Sequence, residues 1–251
     1  MLAGRHCQSG LSLVELMVAM LIAAMVITGA VRIAAGASAS FRTQQNIGAL
    51  QENARFAFEA MRREIAPAGY TPEPWNAGFS STGISGETAD DQGNHSDLLV
   101  VNRWSRKNCF ENPNPQADAG GEPAWYLRET AFFLSASGSL SQRCRYGPDP
   151  SSLVTQINNQ GLVNDALALQ LLFAEDSDGD GNADRWVRAG NWLDEPGVNA
   201  VRIGLLLGTT EAIRASAPTN LDVLDETIAP SQDGRAYRVF ETVVGLEGRQ
   251  P

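Results

Sequence analysis

The chain has 251 residues, 43% of them hydrophobic, which suffices for one substantial domain with an extended element or for two small domains. Its 29 Asp and Glu outweigh 19 Lys and Arg, giving a formal charge of −10. That balance argues against a nucleic-acid-binding face, because phosphate binding needs clustered cations.

A short polar leader containing Arg5 and Cys7 ends at Gly10, and an apolar helix is predicted to follow from Leu11. Glu15 stands near the start of that helix, and the sequence is then uncharged from Leu16 to Val31. A carboxylate is expensive in a membrane segment and persists there mainly when it has a partner or a task. Residues 11–31 would extend roughly 31 Å as a helix, enough to cross a hydrocarbon core of about 30 Å once. Arg5 before the span favours a cytoplasmic N-terminus, although Arg32 and Arg42 after it weaken the bias. An ordinary secretory signal is the competing reading: Ala37-Ser38-Ala39 offers a cleavage site that would leave Ser40 first. Against it, Glu15 interrupts the apolar region, Arg32 precedes the site and the stretch is long.

Helical periodicity continues beyond the apolar span. Ile47, Leu50, Ala54, Ala57, Phe58, Met61 and Ile65 recur at spacings of three and four, on one face, while Arg55, Glu59, Arg62 and Arg63 fill much of the rest. Pro67 and Gly69 end the pattern. A single helix over 11–66 would be roughly 80 Å long. Its apolar second half needs a cover, and a sheet from the same chain would supply one.

Residues 71–94 are rich in Gly, Pro, Ser, Thr, Asn and Asp and read as a long surface loop. Strands are expected at 98–101, 125–134, 140–146, 167–174, 201–207 and 238–246, with a hairpin turn at Ser137-Gly138 and irregular loops at 106–123 and 209–234. Leu167, Leu169, Leu171 and Phe173 are expected on one strand face, as are Val201, Ile203, Leu205 and Leu207. The fold class is α+β: a long N-terminal helix packed on an antiparallel β-sheet head.

Between two of these strands lie Asp176, Asp178, Asp180, Asn182 and Asp184, in a run that matches the D-x-D-x-D-G start of a calcium loop. Ca²⁺ takes six to eight oxygens, and aspartates at alternate positions of a tight loop converge on one centre. The EF-hand pattern breaks at its twelfth place, which is Val187, so a closing carboxylate would have to come from Asp194 or Glu195. A solvated Asx-rich hairpin accounts for the same residues without a metal.

Enzymatic chemistry finds little support. His6 and His95 are the two histidines, too few for a zinc cluster. No G-x-S-x-G, G-x-G-x-x-G or Walker pattern occurs. Trp75, Trp104, Trp125, Trp186 and Trp192 would suit a glycan groove, but buried or half-buried packing explains them more simply.

The heptapeptide from Gly10 to Leu16 resembles the class III signal of type IV prepilins and of type II secretion pseudopilins, with Leu11 where Phe is commoner. With the long helix, two head cysteines, the Asp-rich loop and the late strands at 201–207 and 237–244, the chain resembles the PilW group of minor pilins; residues 245–250 depart from that group's Arg-Asn ending. The resemblance implies cleavage by prepilin peptidase between Gly10 and Leu11, followed by N-methylation of Leu11. It implies a leader at 1–10, a helix at 11–66 with 11–31 in the inner membrane, and a periplasmic β-rich head at 67–251. Glu15 would pair with the terminal ammonium of Leu11 on a neighbour, the alternative being a side chain that snorkels to the interface. The implied role is non-enzymatic: priming type IV pilus assembly and residing in or near the tip. Implied partners are other minor pilins, the major pilin, prepilin peptidase, the inner-membrane assembly platform and the lipid bilayer. Cys7 would leave with the leader, and Cys109 and Cys144 would form a disulfide in the oxidising periplasm or remain as two buried thiols. A minor pseudopilin of type II secretion, or a secreted calcium-dependent adhesin, remain the alternatives.

Overall fold

The computed structural model describes residues 12–79, 81–92, 95–193, 195–213 and 218–248. The chain forms two compact units, residues 1–45 and 46–251. Helix α1, Leu13–Ile65, begins in the first and ends in the second.

In the first unit the carbonyl of Ser12 accepts the Leu16 N–H at 3.1 Å, which opens the helix, and Glu15 lies in the first turn. A negative charge there is favoured by the unpaired N–H groups of a helix start. Residues 12–42 are exposed, including Leu13, Met17, Leu21, Met25 and Val31. The helix carries an apolar stretch long enough to cross a membrane, none of it buried. A helix that is apolar on every side needs a lipid or protein surround. Thr28 fits within it because its hydroxyl donates to the Ala24 carbonyl at 2.7 Å.

In the second unit the last turns of α1 bury Leu50, Ala54, Ala57, Met61 and Ile65, with Phe58 packed beside them. The spacing of three and four expected from the sequence is therefore the face that meets the core. Fully burying side chains such as Met61 and Ile65 contributes about 1.5–3 kcal/mol each, so packing rather than intrinsic propensity holds this segment. The helix stops before Pro67, and Gly69 turns the chain with a φ of 86°.

Two antiparallel sheets complete the core. The first is a meander of β1 (Leu99–Ser105), β2 (Tyr126–Leu134), β3 (Leu140–Gly147) and β4 (Val154–Val163), in that order. The β2–β3 hairpin turns at Gly138, whose φ is 73°. The second contains β5 (Ala166–Glu175), β6 (Arg185–Val187), β7 (Val198–Gly208) and β10 (Tyr237–Gly245), in the order β10-β7-β5-β6. A two-stranded ribbon pairs β8 (Leu221–Val223) with β9 (Glu226–Ile228). The main core joins the buried face of α1 to Leu99, Val101, Phe132 and Leu140 of the first sheet and to Leu169, Leu171, Phe173, Val201, Ile203, Leu205 and Leu207 of the second. A smaller cluster of Ala168, Leu206, Val223, Ile228 and Tyr237 lies between the other face of the second sheet and the ribbon.

Four expectations need correction. The head has two four-stranded sheets and a ribbon rather than one sheet. β4 was not expected: its TQINNQ centre is polar, and it is an edge strand bonded only to β3, so no apolar alternation marks it. Leu167 does not share the face of Leu169, because a bulge between Ala166 and Ala168 moves it to the smaller cluster. The expected irregular stretch at 209–234 holds the short β8–β9 ribbon.

Candidate functional site

Gly10 and Leu11 lie outside the described residues, as does Asp194. Glu15 is exposed on the first turn of α1, and no other charged residue occurs between it and Arg32.

Cys109 and Cys144 are bonded, with Cα atoms 5.9 Å apart. The bridge fastens the 106–123 loop to β3, and the Cys109 N–H donates to Gln156 Oε1 at 3.0 Å. Both cysteines are buried, so the pair acts as a staple inside the head.

The aspartate run forms the loop of the β5–β6 hairpin, closed by the Glu175↔Arg185 pair. Gly179 and Gly181 adopt φ of 78° and 87°, conformations that favour glycine. Their N–H groups donate to the two carboxylate oxygens of Asp176, each at 2.7 Å. Partial burial opposes ionisation of Asp176, but these backbone donors outweigh it and hold its pKa below the ordinary range. The Ser177 hydroxyl and N–H do the same for Asp184, donating at 2.5 and 2.8 Å. Carboxylate oxygens of Asp176, Asp178 and Asp184 lie within 4.8 Å of one another. Asp180 and Asn182, expected in the same centre, are instead tied together: the Asn182 N–H and Nδ2 donate to the Asp180 carboxylate at 2.7 and 3.0 Å. Asx residues in tight loops readily bond their own backbone in this way. Three converging carboxylates suit a hard cation, but they supply only part of the six to eight oxygens that Ca²⁺ takes. Glu195 sits in the short Glu195–Gly197 turn, outside that group.

A second ionic site has no forerunner in the sequence reading. Glu64, on the last turns of α1, accepts from Arg128 Nη2 at 2.6 Å, from Thr130 Oγ1 at 3.2 Å and from Arg103 Nη2 at 3.4 Å. Arg128 is 6% exposed and also reaches Glu111 at 2.5 Å. The available signal was a pair of charges, Arg128 and Glu129, inside an otherwise apolar strand. The tryptophans have no common groove-lining role: Trp104, Trp125 and Trp192 make ring contacts with Phe79, Tyr70 and Phe173, while Trp75 and Trp186 are exposed.

No curated protein sequence matches the chain. A family model described as Type IV Pilus-assembly protein W matches residues 135–248, and the Prokaryotic N-terminal methylation motif matches residues 5–31. Among solved structures, a type IV-like pilin from Thermus thermophilus is similar with a TM-score of 0.52 at 18% identity, covering 80% of this chain and 97% of that one. At that identity the likeness establishes the fold: a long apolar N-terminal helix with antiparallel sheets, the architecture of type IV pilins. The methylation motif and the bare apolar helix add membrane anchoring and association with pili. These matches, at residues 5–31 and 135–248, together with the fold support a type IV minor pilin similar to the PilW group.

Proposed function

We propose that this minor pilin is non-enzymatic, primes type IV pilus assembly and ends in or near the pilus tip. The observation that carries this reading is the exposed apolar start of α1 with a single carboxylate, Glu15, in its first turn. Prepilin peptidase cuts between Gly10 and Leu11, and Leu11 is then N-methylated. Before assembly, residues 11–31 cross the inner membrane once and the head lies in the periplasm. During assembly the Glu15 carboxylate pairs with the terminal ammonium of Leu11 on a neighbouring pilin, which offsets the cost of a charge among apolar helices. Contacts of that head-to-tail kind propagate as an open filament. The other minor pilins, the major pilin and the inner-membrane assembly platform are the partners.

The β5–β6 loop is proposed as a Ca²⁺ site. Asp176, Asp178 and Asp184 supply the starting ligands, and Asp180 and Asn182 join them by exchanging their mutual hydrogen bonds for the ion. Bound Ca²⁺ relieves the repulsion among the loop's carboxylates.

The test of assembly is Glu15→Ala expressed in cells that lack the native copy. The variant is expected to be processed and inserted in the membrane yet to fail in supporting piliation. Normal piliation would overturn the pairing mechanism, and a deletion that abolished protein secretion while leaving pili intact would assign the chain to a type II machine.

A further inference from the structure

The most unusual titratable group of the head lies far from the aspartate loop in sequence. Asp97 is 1% exposed, yet its carboxylate faces other acids. Its Oδ1 accepts the Asp91 N–H at 2.9 Å and its Oδ2 accepts the Leu171 N–H of β5 at 2.7 Å. The backbone on either side is fastened to the same strand: the Asp97 N–H donates to the Leu169 carbonyl at 2.8 Å, and the Leu169 N–H to the His95 carbonyl at 3.2 Å. His95 itself has a φ of 56°, and its Nδ1 meets the Glu226 carboxylate of β9. Gln170 Nε2 of β5 bridges the His95 carbonyl and that same carboxylate. From the β8–β9 turn Asp225 pairs with Arg188 Nε at 2.5 Å, and Arg188 Nη1 reaches Asp90 at 3.4 Å. Among the described residues the charged groups near Asp97 include Asp90, Asp91 and His95 on its own segment, Asp225 and Glu226 on the ribbon, and Arg188 after β6, with the neutral Gln170 joining them from β5.

We infer that this cluster is a proton-operated clasp, which fastens residues 89–92 and 95–98 and the β8–β9 ribbon to β5 more tightly as the surroundings acidify. Arg188 pairs with Asp90 and Asp225, whose fields also act on Asp97, so a proton on Asp97 removes repulsion that the fold otherwise contains. A proton on Asp97 leaves one oxygen to accept a backbone N–H and removes the negative charge facing Asp90 and Asp225. That uptake favours the closed arrangement. Burial raises the Asp97 pKa to about 6, and the fields of Asp90 and Asp225 add to it, against the two backbone donors that lower it. The sign follows from linkage: a carboxyl that binds its proton more tightly when folded adds stability as pH falls through about 6 toward the unfolded carboxyl value, and loses that stability above it.

The experiment is thermal and urea unfolding of the full chain in detergent micelles from pH 7.5 to pH 4.5, for wild type, Asp97→Asn and Asp90→Asn, with site-resolved hydrogen exchange at the Leu171 and Asp91 amides. The wild-type unfolding constant is expected to fall by up to about 30-fold relative to Asp97→Asn across that interval, the increment that the roughly one and a half pH units below the Asp97 value supply. Exchange at the Leu171 amide, corrected for its intrinsic pH dependence, is expected to slow in parallel. Should Asp97→Asn fail to fold, Asp90→Asn decides the matter, because removing a facing charge is expected to move the wild-type transition to lower pH. Parallel pH profiles for wild type and both variants would overturn the inference, as would faster Leu171 exchange on acidification.

Discussion

Glu64 Oε1 accepts a hydrogen bond from Arg128 Nη2 at 2.6 Å, joining the end of the long helix to the second strand of the first sheet. Their side chains are 11% and 6% exposed, so water does little to solvate either charge. Among the described residues Nε of Arg103 and of Arg128 has no hydrogen-bond partner, and Arg128 divides its remaining donors between Glu64, Glu111 and the Asn108 carbonyl. Glu64→Ala is therefore expected to cost about 1–3 kcal/mol, because it leaves buried donors of Arg128 and Thr130 without their acceptor. The double variant Glu64→Ala/Arg128→Met should recover part of that loss. Urea unfolding of the full chain in micelles measures both, and a Glu64→Ala cost below about 1 kcal/mol would contradict the buried-pair account.

The C-terminal segment closes on the helix end through a backbone hydrogen bond as well as the buried Leu246. The Gly248 N–H donates to the Ala66 carbonyl at 2.9 Å, and a Cβ at that glycine would lie 2.6 Å from the Ala68 carbonyl oxygen and closer still to that of Pro67. Gly248→Ala is expected to destabilise by about 1–3 kcal/mol, the usual cost of forcing atoms into a packed site. Gly86→Ala, which meets open space, is the matched control. Equal melting temperatures for the two variants would show that the terminal contact is dispensable.

Reduction of the Cys109–Cys144 bridge frees a loop with a sequence separation of 35 residues. On the chain-entropy model the loss approaches about 4 kcal/mol, less where the reduced chain keeps residual order. The intact mass should rise by two hydrogens on reduction, and Cys109→Ser/Cys144→Ser should unfold at lower urea than wild type. An unchanged mass would remove the bridge.

Calcium is testable by titration calorimetry on the full chain in micelles. Binding at millimolar affinity or tighter is expected, and Asp178→Ala should abolish it, since that carboxylate belongs to the converging group of three. Asp180→Ala separates two arrangements: weakened binding means that Asp180 leaves Asn182 to join the ion, and unchanged binding means that it does not. No heat with wild type would end the metal proposal and leave a hydrogen-bonded Asx hairpin.

Much of this architecture could be read before folding because its signals are local. The apolar span, the helical face from Leu50 to Ile65 and the strand face of Val201, Ile203, Leu205 and Leu207 each follow from periodicity within a few turns or residues. What could not be read depends on partners distant in the chain. β4 has polar residues on both faces and is a strand only because β3 offers it a bonding edge. The bulge that redirects Leu167 arises from the register with β7. Nothing local marks Glu64 among the helix charges; β1 and β2 bring Arg103 and Arg128 against it. His95 and Asp97 lie between the loop read at 71–94 and the strand expected at 98–101, and β5 and the ribbon give them their environment. At the aspartate loop the composition was legible but the convergence was not: three of the five expected ligands meet, and two satisfy each other.

The account rests on the apolar helix staying with the mature protein. Mass spectrometry of the N-terminal peptide from the membrane fraction measures this directly. A peptide beginning with N-methylated Leu11 and retaining Glu15 is predicted. A mature chain beginning at Ser40 would contradict it, because neither the membrane span nor the carboxylate would then reach a filament.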